Sequence, residues 1–327
     1  MDPSRRQFFQ VTTGGLVAAS GVVGRARPVA AQGPTVKIGS AVLGDYSMVT
    51  PILVALEKGF FKAQGVTVEF QPFRGGPDLV KAVVAGQIHI GTTGATDVPV
   101  FRATGAPIRF IASGVDHNHF TLNVAPAIGR AADLKGKSIG VTRVGAATWI
   151  FAVMLAKQQS WDPEKDVTIV GLGGLDAQLA ALARREIAAY VWGDGGAVTE
   201  LQGKSKVLMR LDAVTPKWIS QIQYASEDAI TRQADLIRKS QRAMFRALKL
   251  MRDNPKEAAT LVSKKLGWSP EAVLAAHKIS GPLLPVDGSI NVEALGVMQD
   301  TLLEYSLIKK KLPLDAHYTR EFTPVKI

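Results

Sequence analysis

Two stretches decide how this chain is organised: "GGPDLVKAVVAGQIHIG" at 75–91 and "GGLDAQLAALARREIAAY" at 173–190. In each, Gly-Gly-x-Asp opens an apolar run of helical spacing that closes in a short strand. Gly75 and Gly173 lie 98 residues apart, and so do Thr50 of "TPILVAL" and Thr148 of "TWIFAVM". Further upstream "VKIGS" (36–40) is echoed by "KSIGV" (137–141). Three blocks in one order at near-constant spacing mark an internal duplication.

Around these blocks, strands are predicted over 35–42, 66–73, 87–94, 108–114 and 119–125, with "GDYS" (44–47) a turn and Pro51 in a first helical turn. The second copy reads strand ("DLKGKSIGV"), helix, strand (166–172), helix, strand (187–193). Strands alternating with helices build mainly parallel sheets covered on both faces, so the fold class is α/β with two similar lobes. After Tyr224 the chain turns helical, with Ser226 and Ser269 as N-caps and Pro270 at a first position. This tail has no copy, which assigns it to the first lobe and puts crossings near 125–130 and 219–225. The expected division is 32–126 plus 222–327 for lobe I and 127–221 for lobe II.

Composition narrows the function. Of 327 residues, 46% are hydrophobic, 20% are charged and none is cysteine, which excludes disulfides, thiolate metal sites, cysteine nucleophiles and attachment of lipid through cysteine. Residues 1–31 read as an export signal: "SRRQFF" (4–9), a weakly apolar run Val11–Gly24, then small residues at Val29 and Ala31 before the cut. Its run is too short and polar to span a bilayer. The Ser-Arg-Arg-x-Phe-Phe pattern resembles a twin-arginine signal, so the expected destination is the periplasm, reached folded through the twin-arginine export machinery, as a soluble protein and not a lipoprotein. The net charge of +11 falls to +8 once this segment is removed, and its basic residues are scattered without interleaved aromatics. Nucleic acid is therefore not an expected partner.

Loops at the carboxyl ends of parallel strands bind ligands, and two facing lobes put both loop sets around one cleft. The Gly-Gly turns are either tight strand-to-helix turns or helix starts whose amides meet an anion.

The segments "DLKGKSIGVTRVGAATW", "DPEKDVTIVGLGG", "LAALARREIAAYV" and "AHYTREFTP" resemble the periplasmic substrate-binding proteins of ABC importers, within the nitrate, sulfonate and taurine group that also binds thiamine pyrimidine precursors. The resemblance covers about 35–327. It implies a type II-like two-lobed periplasmic-binding-protein fold with a two-strand hinge. A small-molecule ligand is enclosed as the lobes close, then delivered to a permease in the inner membrane, by a monomer that needs no cofactor. Matching loops place candidate contacts at Asp45, Tyr46 and Ser47 after the first strand, and at Thr92, Thr93, Gly94 and Asp97 after "QIHIG". In the second lobe they are Arg143, Gly145 and Thr148 at a helix start, then Trp192 and Asp194 at a strand end. Hydroxyls and helix-start amides suit sulfonate or carboxylate oxygens, and Tyr46 and Trp192 suit an organic tail. Asp97 and Asp194 otherwise brace loops; facing the ligand, they disfavour a bare anion such as nitrate and favour a zwitterion or larger organic molecule.

Competing readings are a same-fold enzyme or a ligand sensor acting on a pyrimidine or aromatic compound. Enzymes that share the resemblance, a desulfinase and a pyrimidine synthase, carry cysteine-bearing motifs that this chain lacks. In "DHNH" (116–119), His117 and His119 at i, i+2 share one face if the segment is a strand, and His119 is also a candidate ligand contact; no third metal ligand has convincing spacing. Gly129 and Gly136 are seven positions apart where a phosphate loop needs five, and "GLGGLD" lacks the last glycine of a dinucleotide fingerprint.

Overall fold

A computed structural model describes residues 33–215 and 217–327, so the export signal expected over 1–31 lies outside the described residues. The first copy runs β1 (Thr35–Ser40), α1 (Tyr46–Glu57), α2 (Phe60–Ala63), β2 (Thr67–Pro72), α3 (Gly76–Val84), β3 (Ile90–Gly94), α4 (Asp97–Ala103) and β4 (Ile108–Val115). After a short strand, β5 (Thr121–Val124), the second copy runs β6 (Ser138–Val141), α5 (Ala147–Gln158), β7 (Thr168–Gly171), α6 (Leu175–Ala183), β8 (Ala189–Trp192), α7 (Gly195–Leu201) and β9 (Lys206–Arg210). Then come β10 (Gln221–Ser226), α8 (Glu227–Arg232), α9 (Ala234–Asp253), α10 (Pro255–Leu266), α11 (Pro270–Ser280) and α12 (Val292–Glu304).

The strands form two five-stranded sheets, ordered β2-β1-β3-β10-β4 and β7-β6-β8-β5-β9. In each, the first three pair in parallel and the fourth is antiparallel to both neighbours. The duplication is therefore longer than three blocks. Each copy also contributes a helix after its third strand (α4, α7) and an outer strand (β4, β9), then sends one strand into the other copy's sheet. β5 leaves the first copy to pair with β8 and β9, and β10 leaves the second to pair with β3 and β4. This corrects the expected boundary: the strand at 119–125, assigned to lobe I by a division at 126, belongs to the second sheet, and the chain crosses over 116–120. An apolar strand carries no mark of the sheet it will join, so only pairing decides it.

The crossings lie side by side. The Ser220 N–H donates to the Val115 carbonyl (2.9 Å), the Leu211 N–H to the Phe120 carbonyl (2.9 Å) and the Asn118 amide to the Leu211 carbonyl (3.1 Å). Phe120, Phe151 and Trp218 stack beside them, with centroids 4.8 and 5.5 Å apart. In the tail, α9 and α10 pack on α1 as expected, but α11 packs on α7 of the second lobe as well. The Ser226 and Ser269 caps are present, accepting from the Ala229 N–H (3.1 Å) and the Ala272 N–H (3.3 Å). The described residues form one compact unit, and among them no helix is long and apolar enough to cross a membrane.

Candidate functional site

The carboxyl ends of β1, β3, β6 and β8 face one another across the two lobes. Between them lies a narrow cavity of about 30 Å³. Lobe I contributes Ala41, Val42, Asp45, Met48, Thr93 and Asp97; lobe II contributes Thr142, Ala147, Thr148 and Trp192; and the first crossing contributes Phe120. Glycines let the walls meet. A Cβ on Gly94 would lie 2.4 Å from that of Ala147, and one on Gly76 would lie 1.5 Å from Asp97 Oδ2.

Of the expected contacts, Asp45, Thr93, Gly94, Asp97, Thr148 and Trp192 line this cavity. Tyr46, Ser47, Thr92, His119, Arg143, Gly145 and Asp194 do not, each for a visible reason. Tyr46 and Ser47 belong to the first turn of α1, which starts earlier than the expected "GDYS" turn allows because Asp45 caps it, accepting from the Met48 N–H (3.1 Å). Pro51 consequently sits inside the helix. The Tyr46 ring points into the protein, meeting His277 edge-on with its hydroxyl 3.0 Å from Nδ1, so it does not cover a ligand tail. Ser47 and Thr92 line a second, smaller void behind the cavity. Arg143 pairs with Asp78 of the opposite lobe (3.1 Å), and Gly145 makes a left-handed turn (φ 82°) just before α5. His117 is exposed while His119 is buried, in a segment that is not a strand, so the two share no face.

Asp194 has a different task. Fully buried, it accepts the Tyr46 N–H (2.7 Å) and Ser47 N–H (2.9 Å) at the start of α1, together with the Ser280 hydroxyl (2.6 Å) at the end of α11. A lobe II carboxylate thus caps a lobe I helix, where unpaired N–H groups and the helix dipole favour negative charge. Nearby, the Trp192 indole N–H donates to the Gly44 carbonyl (2.7 Å). Together these contacts hold the lobes shut.

Beneath them Asp45 accepts the Gln221 amide (2.7 Å) and stands 3.7 Å from His119 Nε2. Burial alone would raise the Asp45 carboxyl, but His119, Gln221 and the Met48 N–H hold it below the usual range. Burial, aided by the Asp45 charge, pushes Asp194 up to about 6. Burial likewise lifts Asp97 to about 7 against the pull of the Thr93 hydroxyl and, more weakly, of the Ala147 N–H. Asp45, His119 and Asp194 bring ligand atoms within 4.8 Å of one another. Both Asp194 oxygens and one of Asp45 already accept protein donors, so the trio is an inter-lobe network rather than a metal centre. Sequence reasoning missed Gln221, Ser280 and His277, which lie far along the chain and carry no motif.

The geometry has its counterpart in known proteins. A family model described as NMT1/THI5 like matches residues 47–258, well over half of the chain. The chain belongs to the NMT1/THI5-like family. Among its relatives, the taurine-binding periplasmic protein of Escherichia coli (strain K12) is 32% identical over 152 residues, 46% of each chain. The riboflavin-binding protein RibY of Chloroflexus aurantiacus is 26% identical over 230 residues, 68% of this chain and 64% of that one. These matches span about half to two thirds of the curated relatives' lengths. The alkanesulfonate-binding protein SsuA from Xanthomonas axonopodis pv. citri, solved with MOPS, superposes with a TM-score of 0.72 at 19% identity, over 88% of this chain and 99% of that one. The desulfurization enzyme DSZB superposes with a TM-score of 0.60 at 18% identity, over 88% and 97%. At such identities these likenesses concern the fold, which is that of periplasmic binding proteins.

Proposed function

We propose that this NMT1/THI5-like protein is a periplasmic solute-binding protein that captures a small organic anion or zwitterion between its lobes and hands it to an ABC permease. The observation that carries the reading is the cavity itself, walled by equivalent loops of two duplicated lobes and sealed by Asp194 and Trp192 reaching across. Binding energy spent on closing two lobes is hinge capture. The relatives that bind taurine, riboflavin and alkanesulfonates support the class of function, and "SRRQFF" supports twin-arginine export to the periplasm. The chain acts as a monomer and not as an enzyme; the absence of cysteine separates it from the cysteine-dependent chemistry expected of enzymes on this fold.

Thermal unfolding of the chain from Gln32 onward, against taurine, alkyl and aromatic sulfonates, aromatic carboxylates, nitrate and pyrimidines, tests this. A ligand at a hundred times its Kd adds about 2.7 kcal/mol to stability. A midpoint rise with one chemical class, and recovery of that compound unchanged, is the expected result. Turnover of the bound compound would replace capture by catalysis.

A further inference from the structure

Three titratable side chains meet where the lobes meet, each from a different part of the fold. Asp45 precedes α1 in lobe I, Asp194 precedes α7 in lobe II, and His119 lies on the first crossing. All three are buried, with an oxygen or nitrogen of each within 4.8 Å of the others. Two carboxylates and one imidazole do not balance. Even with His119 charged, the group carries one negative charge in surplus, and among the described residues neither carboxylate pairs with a lysine or arginine. The elements packed on Asp194 supply dipoles instead: the Tyr46 and Ser47 N–H groups of α1 and the Ser280 hydroxyl of α11. His277, also on α11, faces the Tyr46 hydroxyl, and burial holds it below the usual imidazole range.

Opening the lobes pulls this group apart. Asp45 and Asp194 stand on opposite walls, so water returns to both and their repulsion fades with distance. Closing dehydrates two like charges in one place, and a proton relieves that cost. Burial first, and the Asp45 charge second, accordingly lift Asp194 from 3.8 to about 6 in the closed structure. The proton also has a seat. Ser280 Oγ lies 2.6 Å from Asp194 Oδ2, so a neutral Asp194 donates to it as the hydroxyl turns. Both oxygens keep lone pairs for the Tyr46 and Ser47 N–H groups, so the cap on α1 survives protonation. Asp97 differs, because Thr93 and Gly76 around it belong to its own lobe and only the weaker Ala147 N–H comes from across.

We infer that closing the lobes takes up a proton at the Asp45–His119–Asp194 group, so that mild acid shifts the protein toward its closed, solute-holding form. The inference rests on the solute-capture reading, because only lobes that open and shut bury and expose the group. The sign follows from linkage: a group that binds its proton more tightly in one form favours that form as pH falls. With the ordinary 3.8 in the open form and about 6 in the closed one, the closed-to-open ratio rises about tenfold from pH 7 to pH 5.

Single-molecule Förster transfer reads that ratio without a ligand. The chain has no cysteine, so dyes attach only at Lys81→Cys on α3 and Ala183→Cys on α6, both exposed and one on each lobe. Molecules are counted from pH 7.5 to 5 in this labelled parent and in its Asp194→Asn, Ser280→Ala and Asp97→Asn variants. All are repeated in an Arg143→Ala background, which lacks the inter-lobe pair with Asp78 and keeps a saturated equilibrium readable. The expected result is two populations whose ratio moves about tenfold toward the closed one between pH 7 and pH 5. That shift vanishes in Asp194→Asn and persists in Asp97→Asn. In Ser280→Ala it begins at higher pH, because the lost hydroxyl favours the charged carboxylate more than the acid. A pH-independent ratio, a shift that survives in Asp194→Asn, or one lost in Asp97→Asn overturns the inference and leaves solute capture standing. One fixed distance at every pH, unchanged by Arg143→Ala and by added taurine, alkyl sulfonates or aromatic carboxylates, overturns both. If Asp194→Asn does not fold or is wholly open, Ser280→Ala decides: a midpoint moved to higher pH supports the inference and an unmoved one refutes it.

Discussion

Replacing Asp194 by alanine would show what holds the lobes together. In the closed structure this carboxylate supplies the acceptor for the Tyr46 and Ser47 N–H groups at 2.7 and 2.9 Å, from the opposite side of the cleft. Without it, two helix-start donors are left dry as long as the lobes stay shut, at about 1–3 kcal/mol each. Opening lets water reach both donors, so the loss falls on closure rather than on folding of either lobe. A net 2–4 kcal/mol, about 30- to 900-fold in the ratio of closed to open molecules, is the working estimate. Two measurements on the ligand-free protein report it. Small-angle scattering should show a larger radius of gyration, and Trp192, 1% exposed in the closed form, should gain water and shift its emission to the red. Ligand affinity should weaken in parallel, because the solute must then drive closure alone. An Asp194→Ala protein with wild-type scattering, emission and affinity would refute the claim that this contact closes the cleft.

Other consequences follow from the same geometry. Folding lifts the Asp97 carboxyl from 3.8 to about 7, so its stabilising effect is complete below about pH 4 and is lost as pH rises through 7. Chemical denaturation should therefore find Asp97→Asn more stable than wild type at pH 8, by up to about 4 kcal/mol, with the gap closing toward pH 4; a gap independent of pH would contradict this. His317 has the opposite sign. Burial, with the Arg102 charge, lowers it to about 4, so its contribution is full above 6.5 and lost between there and about 4, and a His317→Gln protein should show a shallower acid limb in melts from pH 7 to 4. Gly76→Ala would drive a Cβ to 1.5 Å from Asp97 Oδ2, while its counterpart Gly174→Ala meets nothing within 4 Å. Urea unfolding should show the first losing about 1–3 kcal/mol and the second close to neutral; equal effects would mean that the start of α3 is not packed as described.

Much of the fold is legible in the sequence because it depends on local physics. Alternating strand and helix periods, the Gly-Gly-x-Asp starts at Gly75 and Gly173 and the Ser226 and Ser269 caps each follow from a few adjacent residues. The cavity was legible in part. Thr93, Asp97, Thr148 and Trp192 sit at strand and helix ends, where parallel sheets present ligand loops, so the family resemblance together with the topology pointed to them. Tyr46 misled because an aromatic beside a cleft loop fits a ligand cover and a core residue equally well. A helix turn begun one residue after Asp45 settled which way it faces.

What the sequence by itself determined is the repeated unit and therefore the existence of two lobes with facing loop sets, since hydrophobic periodicity acts over neighbouring residues. Only the tertiary structure decided that each copy lends a strand to the other sheet, that Asp194 caps a helix 148 residues away, and that Asp97, its counterpart, is left facing the cavity. Strand pairing and helix capping across a cleft are made between backbone groups that every residue carries. No side-chain pattern in the sequence announces such partners; they are fixed when the two lobes meet.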